Sequence, residues 1–364
     1  MTGDDPIRGV RRGAQLLALA YLLAFVALVA LATAIGLFGD PRAGDPVVRL
    51  DLHLRHVAHA TPFAAAHATP AQPASQPPGT ATLPPEALPA ELAPPVATGR
   101  VLIADPALIE KTPQGPLPRI ADDGTPPMRA YAAPAISAGK PRIAIVINGL
   151  GISAKSTTVA LNGLPAGVTL AFAPYMSDAQ RWVTLARQKG HEVLLEVPME
   201  PYDFPDSDPG QHTLRAGAGE DANTQRLVWA LTRFTGYTGV TNFLGGRLLS
   251  DAGAFEPVLT YLTRRGLLFY DNGSATHSVA PDVAARVGAT FAQATVSIDT
   301  IQAAMEIDHR LSDLETTARA QGSASGSGFL YPLTIDRVNK WAQGLSGRGF
   351  VLVPVSAIVS QSKR

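Results

Sequence analysis

The amino-acid sequence predicts an α/β domain of parallel strands at the end of a chain of 364 residues. Residues 143–147 form a β-branched and apolar run without alternation, as in strands buried on both faces of a parallel sheet. Beyond this run, short apolar stretches alternate with amphipathic segments of helical length. Such alternation implies parallel strands joined by right-handed crossovers, and therefore an open α/β sheet or an incomplete barrel.

The first half of the domain consists of apolar runs too short for helices, separated by segments with helix-capping residues. Ser177 or Asp178 is expected to cap a helix, because their short oxygen-bearing side chains accept hydrogen bonds from the first turn. In chain order, we expect a strand at 143–147, a helix at 157–164, a strand at 168–173, a helix at 177–188 and a strand at 191–197.

After a loop rich in proline, glycine and aspartate, the same alternation continues to the C-terminus. The last predicted strands contain more small residues than the first one. The expected elements are helix 224–234, strand 239–243, helix 255–264, strand 267–270, segment 280–287, strand 294–298, helix 302–320, strand 324–330, helix 334–345 and segment 350–355.

Residues 14–38 carry no charge and are long enough to cross the hydrocarbon core of a bilayer as one helix. Arginines at 8, 11 and 12 precede this stretch, so the positive-inside rule places residues 1–13 in the cytoplasm. We therefore expect a single-pass inner-membrane protein whose C-terminal domain is periplasmic or otherwise extracytoplasmic. The alternative is a signal peptide cleaved near Ala30, Ala32 and Ala34.

Residues 39–140 are rich in alanine and proline and contain very few aromatic side chains. Such a composition buries too little apolar surface to offset the entropy of ordering, so this segment is expected to be a disordered linker. The folded domain is then expected over residues 141–364.

Overall composition excludes several functions. The chain has 30 lysines and arginines against 30 aspartates and glutamates, so no bulk positive charge favours nucleic acid as a partner. It has no cysteine, which excludes disulfides, thiolate metal sites and cysteine nucleophiles.

Four stretches in the C-terminal region together resemble the divergent polysaccharide deacetylase family. They are residues 143–151 (IAIVINGLG), 190–201 (GHEVLLEVPMEP), 239–246 (GVTNFLGG) and 267–272 (LLFYDN). The resemblance implies a deformed (β/α) barrel of the polysaccharide deacetylase type over residues 141–364. It also implies a relation to metal-dependent enzymes that remove acetyl groups from carbohydrates.

The positions that match the family's catalytic residues hold other side chains. The aspartate pair that supplies a base and a metal ligand is matched by Asn148 and Gly149, and a histidine position is matched by Phe243. A late motif with two histidines resembles residues 328–332 (GFLYP). Phenylalanine and glycine cannot bind a metal ion, and an amide cannot act as a general base. We therefore expect no metal cofactor and a catalytically inactive domain, a pseudoenzyme.

An alternative is an active hydrolase with a reorganised metal site. Asp271, His212 and His277 follow predicted strands or lie in loops that rise from the carboxyl ends of strands. Together they would offer one carboxylate and two imidazoles for zinc or another divalent metal.

Eight polar residues remain on the face where parallel-strand enzymes place their sites. Amides, carboxylates and an arginine beside aromatic residues such as Tyr202, Phe204 and Phe243 suit hydroxyl-rich ligands. An envelope glycan or an envelope protein is therefore the expected partner, although the polar residues could instead cap loops and turns, and a purely structural scaffold is a third possibility. The candidates are Asn148, Glu196, Glu200, Asn242, Arg247, Asp271, Asn272 and Asp299.

Overall fold

The computed structural model describes residues 105–135 and 139–361. The predicted membrane span at 14–38 and the first part of the predicted linker lie outside these residues. No helix in the described ranges is long and apolar enough to cross a membrane.

Twelve strands form two sheets in the described part of the chain, and the larger sheet contains ten of them. The strands are β1 (Ile109–Thr112), β2 (Gly115–Pro118), β3 (Arg142–Leu150), β4 (Thr169–Phe172), β5 (Val193–Met199), β6 (Gly239–Leu244), β7 (Leu268–Asp271), β8 (Thr290–Gln293), β9 (Val296–Ser297), β10 (Ser323–Phe329), β11 (Val351–Leu352) and β12 (Ser360–Gln361).

Helices connect most of these strands. They are α1 (Pro127–Ala130), α2 (Ala154–Gly163), α3 (Ala179–Gln188), α4 (Glu220–Leu231), α5 (Ala252–Arg264), α6 (Ala280–Val287), α7 (Ala304–Gln321) and α8 (Pro332–Gln343).

The large sheet is a parallel half-barrel, as the alternation of strands and helices predicts. Its order is β12-β8-β7-β6-β5-β4-β3-β10-β9, with β11 paired to the start of β3. Every pair is parallel except β12 with β8. The two end strands, β9 and β12, do not pair with each other, so the barrel is incompletely closed.

Strand β3 is buried on both faces, which explains its uninterrupted apolar sequence. Ile143, Ile145 and Ile147 belong to the larger apolar cluster between the sheet and the helices. Ala144 and Val146 point the other way, into a smaller cluster inside the barrel. Because successive side chains of a strand alternate between faces, a strand with two apolar environments needs no polar residue.

We expect Ile145→Ala to lower the free energy of unfolding by about 2–5 kcal/mol, because it removes a buried side chain and leaves a cavity. Ile145 is fully buried and packs against Gly326 of β10. Chemical denaturation of the purified protein measures the change. Val159→Ala on the exposed side of α2 is the control and should change stability by about 0.5 kcal/mol or less. A loss from Ile145→Ala as small as the control's would place β3 outside the core.

The structure corrects the predicted boundary of the linker. Residues 105–135, called here the N-terminal strap, form the β1–β2 hairpin and helix α1. Leu108, Leu117 and Tyr131 of the strap are buried. The proline-rich composition did not indicate that these residues would be ordered. A few large apolar side chains are enough to hold such a segment against a surface that the barrel already provides.

The N-terminal strap covers the end of the barrel at which the strands begin. Glu192, which directly precedes β5, accepts hydrogen bonds from Ala133 N at 3.1 Å and from Ser356 N and Oγ at 2.9 and 2.5 Å. Arg187 donates to Tyr131 O at 2.5 Å. One buried carboxyl therefore ties the strap and the C-terminal segment to the same end of the barrel. Burial raises the pKa of Glu192 above its ordinary value.

The strand predicted at 294–298 is a further correction, since two short strands, β8 and β9, flank residues 294–295. Residues 290–293 (TFAQ) contain no continuous apolar run, so no strand was predicted there. They form a strand because β7 supplies a parallel partner.

Candidate functional site

A cleft of about 270 Å³ opens at the carboxyl ends of β3 to β6. The loops after β3 and β4 form its walls, while β5 and β6 contribute one side chain each. Its lining residues are Gly151, Ile152, Ala173, Pro174, Tyr175, Met176, Glu196 and Phe243. The cleft is thus mostly apolar, with a single carboxyl group.

Glu196 points into the barrel from β5 and is only 1% exposed. Its Oε1 accepts a hydrogen bond from Gly149 N at 2.6 Å. Burial raises its pKa to about 8, although the Gly149 hydrogen bond opposes the rise. No cationic side chain in the described residues forms an ion pair with it. Glu196 is therefore mostly protonated at neutral pH, and it can donate as well as accept a hydrogen bond.

Gly149 and Phe329 occupy the place where the family resemblance expects an aspartate. Gly149 has a φ of 84°, and a Cβ built on it would lie 2.6 Å from Cζ of Phe329. The Phe329 ring therefore fills the space that a side chain at 149 would need. A left-handed backbone adds to the cost of any larger residue there.

Asn148 is 4% exposed and points toward β10. Its Nδ2 donates to Ser327 Oγ and to Gly328 O, both at 2.9 Å. Its Oδ1 has no hydrogen-bond partner among the described residues. The Asn148 side chain therefore has a buried oxygen that accepts no hydrogen bond from the described residues.

A buried polar layer lies inside the barrel at the depth of Glu196. Thr241 is the β6 partner of Glu196 in the sheet register, and its Oγ1 also has no partner in the described part of the chain. On the far side, Tyr270 Oη and Ser325 Oγ are 2.8 Å apart. Buried polar atoms without partners are rare in folded proteins and often mark sites that hold water or a ligand.

The residues at the matched catalytic positions do not fit a catalytic divalent metal. Asn148 offers one amide oxygen, Gly149 offers no side chain, and Phe243 and Phe329 present aromatic rings. In residues 105–135 and 139–361, no three histidines, aspartates or glutamates are placed to hold a metal ion. A catalytic zinc site requires three such donors and an open position.

The structure also corrects the predicted substitute site of Asp271, His277 and His212, because it does not bring them together. Asp271 is buried and accepts from Gly273 N at 2.9 Å and Gln293 Nε2 at 3.2 Å. His212 stacks on Trp229 with ring centroids 3.6 Å apart, and His277 is exposed. Asp271 and His212 therefore have separate local contacts, and in the described residues the three side chains form no group that could hold a metal ion.

Four predicted ligand-binding residues hold loops and are not among the residues that line the cleft. Asn242 Nδ2 donates to Leu244 O at 2.7 Å and to Asn272 Oδ1 at 2.9 Å. Asp299 Oδ2 accepts from Phe329 N at 2.7 Å and from Thr334 Oγ1 at 2.8 Å. Asn242, Asn272, Asp271 and Asp299 therefore have the loop-capping role that was the alternative in the sequence.

Glu200 and Arg247 lie beyond the cleft, after the ends of β5 and β6. Glu200 Oε2 accepts from Ala216 N at 2.7 Å, and its Oε1 lies 3.5 Å from Arg247 Nε. The Arg247 side chain is 58% exposed. Tyr202, 55% exposed, lies against Gly246 in the same region. These residues form a rim outside the cleft.

Apart from Phe243, the apolar walls of the cleft were not predicted from the sequence. Tyr175 follows β4 and is 45% exposed, and its Oη accepts from His212 N at 3.2 Å. The Met176 side chain packs so closely on Gly151 that a Cβ there would be 2.4 Å from its sulfur. Their position directly after a predicted strand was the available signal, but apolar side chains at a strand end do not stand out from those of the core.

The sequence profile of the divergent polysaccharide deacetylase family matches residues 145–359. The chain belongs to this family, as the resemblance of its four motifs predicts.

Proteins of several bacteria are similar to this chain. It is 25% identical to the uncharacterised protein YibQ of Escherichia coli K12, over 64% of this chain and 70% of YibQ. A crystal structure of an uncharacterised protein from Agrobacterium tumefaciens C58 is 41% identical, covers 67% of this chain and 100% of its own, and superposes with a TM-score of 0.66. The catalytic domain of a peptidoglycan N-acetylglucosamine deacetylase from Eubacterium rectale overlaps 64% of this chain at 13% identity, with a TM-score of 0.38.

Proposed function

We propose that this domain binds an envelope glycan in the cleft and does not deacetylate it. The observation that carries the proposal is the Phe329 ring, which fills the space next to Gly149 where the family's metal ligand would project. The cleft keeps a carboxyl group, Glu196, and two aromatic walls, Tyr175 and Phe243. Sugars need both hydrogen-bonding groups and flat apolar surfaces, because their rings present hydroxyls at the edge and C–H groups on the face.

The proposed place of action is the cell envelope. The apolar segment 14–38 supports an anchor in the inner membrane, and the arginines that precede it support an extracytoplasmic domain. An envelope protein as the partner is the second candidate. The exposed side chains of Tyr202 and Arg247 on the rim favour it.

We expect the purified protein to contain no stoichiometric zinc and to release no acetate from acetylated oligosaccharides above the uncatalysed rate. Asn148 and Gly149 supply neither an anionic ligand for a metal ion nor a general base. General acid–base catalysis alone typically increases a reaction rate by about 10²–10⁴-fold. Elemental analysis and an acetate assay, each with and without added zinc, measure the two properties.

The matched variant is Asn148→Asp combined with Gly149→Asp, which restores the carboxylates in sequence. We expect it to remain inactive, because a Cβ at 149 would be 2.6 Å from Phe329 Cζ. Zinc at one equivalent together with acetate release by the wild-type protein would refute the proposed lack of catalysis.

A further inference from the structure

We propose that the cleft binds a protonated amine, carried by an amino sugar unit of the glycan, and that Glu196 is the counter-ion of this amine. The inference rests on the proposed function, since it names the chemical class of ligand for the same cleft. It differs from recognition of an acetylated sugar, whose amide is neutral.

The first argument is the missing partner of Glu196. Among the side chains that line the cleft, Glu196 is the only acidic or basic one. Gly149 N satisfies Oε1, whereas Oε2 has no hydrogen-bond partner in the described part of the protein. The ionised form of Glu196 is costly to bury without a cation, so the group stays protonated in the free protein, and a ligand that brings a positive charge stabilises the ionised form.

The second argument is the chemistry of the walls. Tyr175 and Phe243 border the cleft, and aromatic ring faces attract cations, including ammonium groups. An ammonium group has three N–H donors and no acceptor, so it can donate to the carboxyl group of Glu196 while its charge lies against the aromatic walls.

Size supports a single sugar unit as the carrier. The cleft measures about 270 Å³, at the lower limit of typical small-molecule sites. A sugar ring would place its C–H face on an aromatic wall while its amine reaches Glu196, whereas a long polymer segment would not fit inside.

Binding requires a proton transfer that can be measured. At pH 6.5 the free protein holds Glu196 protonated, since its pKa is about 8. A bound ammonium favours the carboxylate, so the Glu196 O–H bond breaks, its proton passes to the buffer, and an N–H···O⁻ bond forms. The groups that face Glu196 are Gly149 of β3, Thr241 of β6 and the cleft residues Tyr175 and Phe243. Of these only Tyr175 titrates, and burial raises its pKa above 10.0, outside the range of the experiment.

The test is calorimetric titration of the full chain in detergent with a de-N-acetylated glucosamine oligomer and with its N-acetylated counterpart. At pH 6.5, in two buffers of different ionisation enthalpy, we expect the amine form to bind and to release about one proton per site. Glu196→Gln should weaken its binding by about 10- to 100-fold, as expected for loss of a charge-assisted hydrogen bond. The control Glu256→Gln, a surface residue paired with Arg286, should leave binding unchanged.

The outcomes separate this inference from the proposed function. Binding of the acetylated oligomer as tight as that of the amine form, without proton release, refutes the inference while the proposed function stands. Absence of binding to both oligomers refutes both. A simple alkylamine that binds as tightly as the amino sugar oligomer shows that the sugar is not recognised, and it overturns the assignment of the ligand.

Discussion

Glu196→Gln is expected to raise the free energy of unfolding by about 4–5 kcal/mol at pH 9 and to change it little at pH 5. In the folded protein the pKa of Glu196 rises from 4.5 to about 8 through burial. The folded state therefore binds a proton more tightly than the unfolded chain, and the wild-type protein loses stability as the pH rises through this window. Glutamine keeps an oxygen for the Gly149 N–H and has no charge to bury.

Urea denaturation of both proteins at pH 5, 7 and 9 measures this effect. The difference between the two unfolding free energies should widen with pH between about 4.5 and 8 and then stay constant. Glu256→Gln, whose parent side chain is 44% exposed and paired with Arg286, should show no such widening. A constant difference across the pH range would mean that Glu196 is ionised in the folded protein. A carboxyl that costs stability at neutral pH is a common sign of a functional group.

Glu192→Ala is expected to lower the free energy of unfolding by about 3–5 kcal/mol at pH 7. The substitution leaves the N–H groups of Ala133 and Ser356 and the hydroxyl of Ser356 without their acceptors. It also removes the carboxyl whose charge interacts with the largely buried Arg187. These donors are partly buried, so each one left without an acceptor costs up to about 3 kcal/mol and less where water reaches it, and the losses add up.

Guanidinium denaturation measures the change, and Glu256→Ala provides the matched control. Its parent forms an exposed ion pair with Arg286, so its loss should cost at most about 1 kcal/mol. Glu192→Gln should fall between the two, because it keeps one acceptor oxygen. If Glu192→Ala costs no more than the control, the strap and the C-terminal segment are held by apolar packing alone.

Much of the fold could be predicted because its strands are buried on both faces. The continuous apolar run of β3 and the helix predicted at 255–264 were both evident in the sequence. The strand β8 and the N-terminal strap were not, because tertiary contacts stabilise them more than local preference does. Leu108 and Tyr131, for example, are isolated apolar residues until the barrel provides a surface.

The candidate site was harder to predict for a related reason. Asn148 and Glu196 were identified because polar residues stand out at the ends of apolar strands. Asp271 stands out in the same way, yet it turns away to hold a loop. Sequence shows that a polar residue follows a strand, but the twist and irregular register of the strands decide which way it points.

The incomplete closure of the barrel has a consequence for self-association. A sheet with two ends exposes backbone groups that could pair with another chain and start aggregation. Here the end strands, β9 and β12, are only two residues long. An incoming strand would find almost no ladder to extend, so addition of strands from a second molecule is disfavoured even where the protein is concentrated. A closed barrel resists this kind of aggregation because it has no edge strands. Short edge strands give an open sheet much of the same protection.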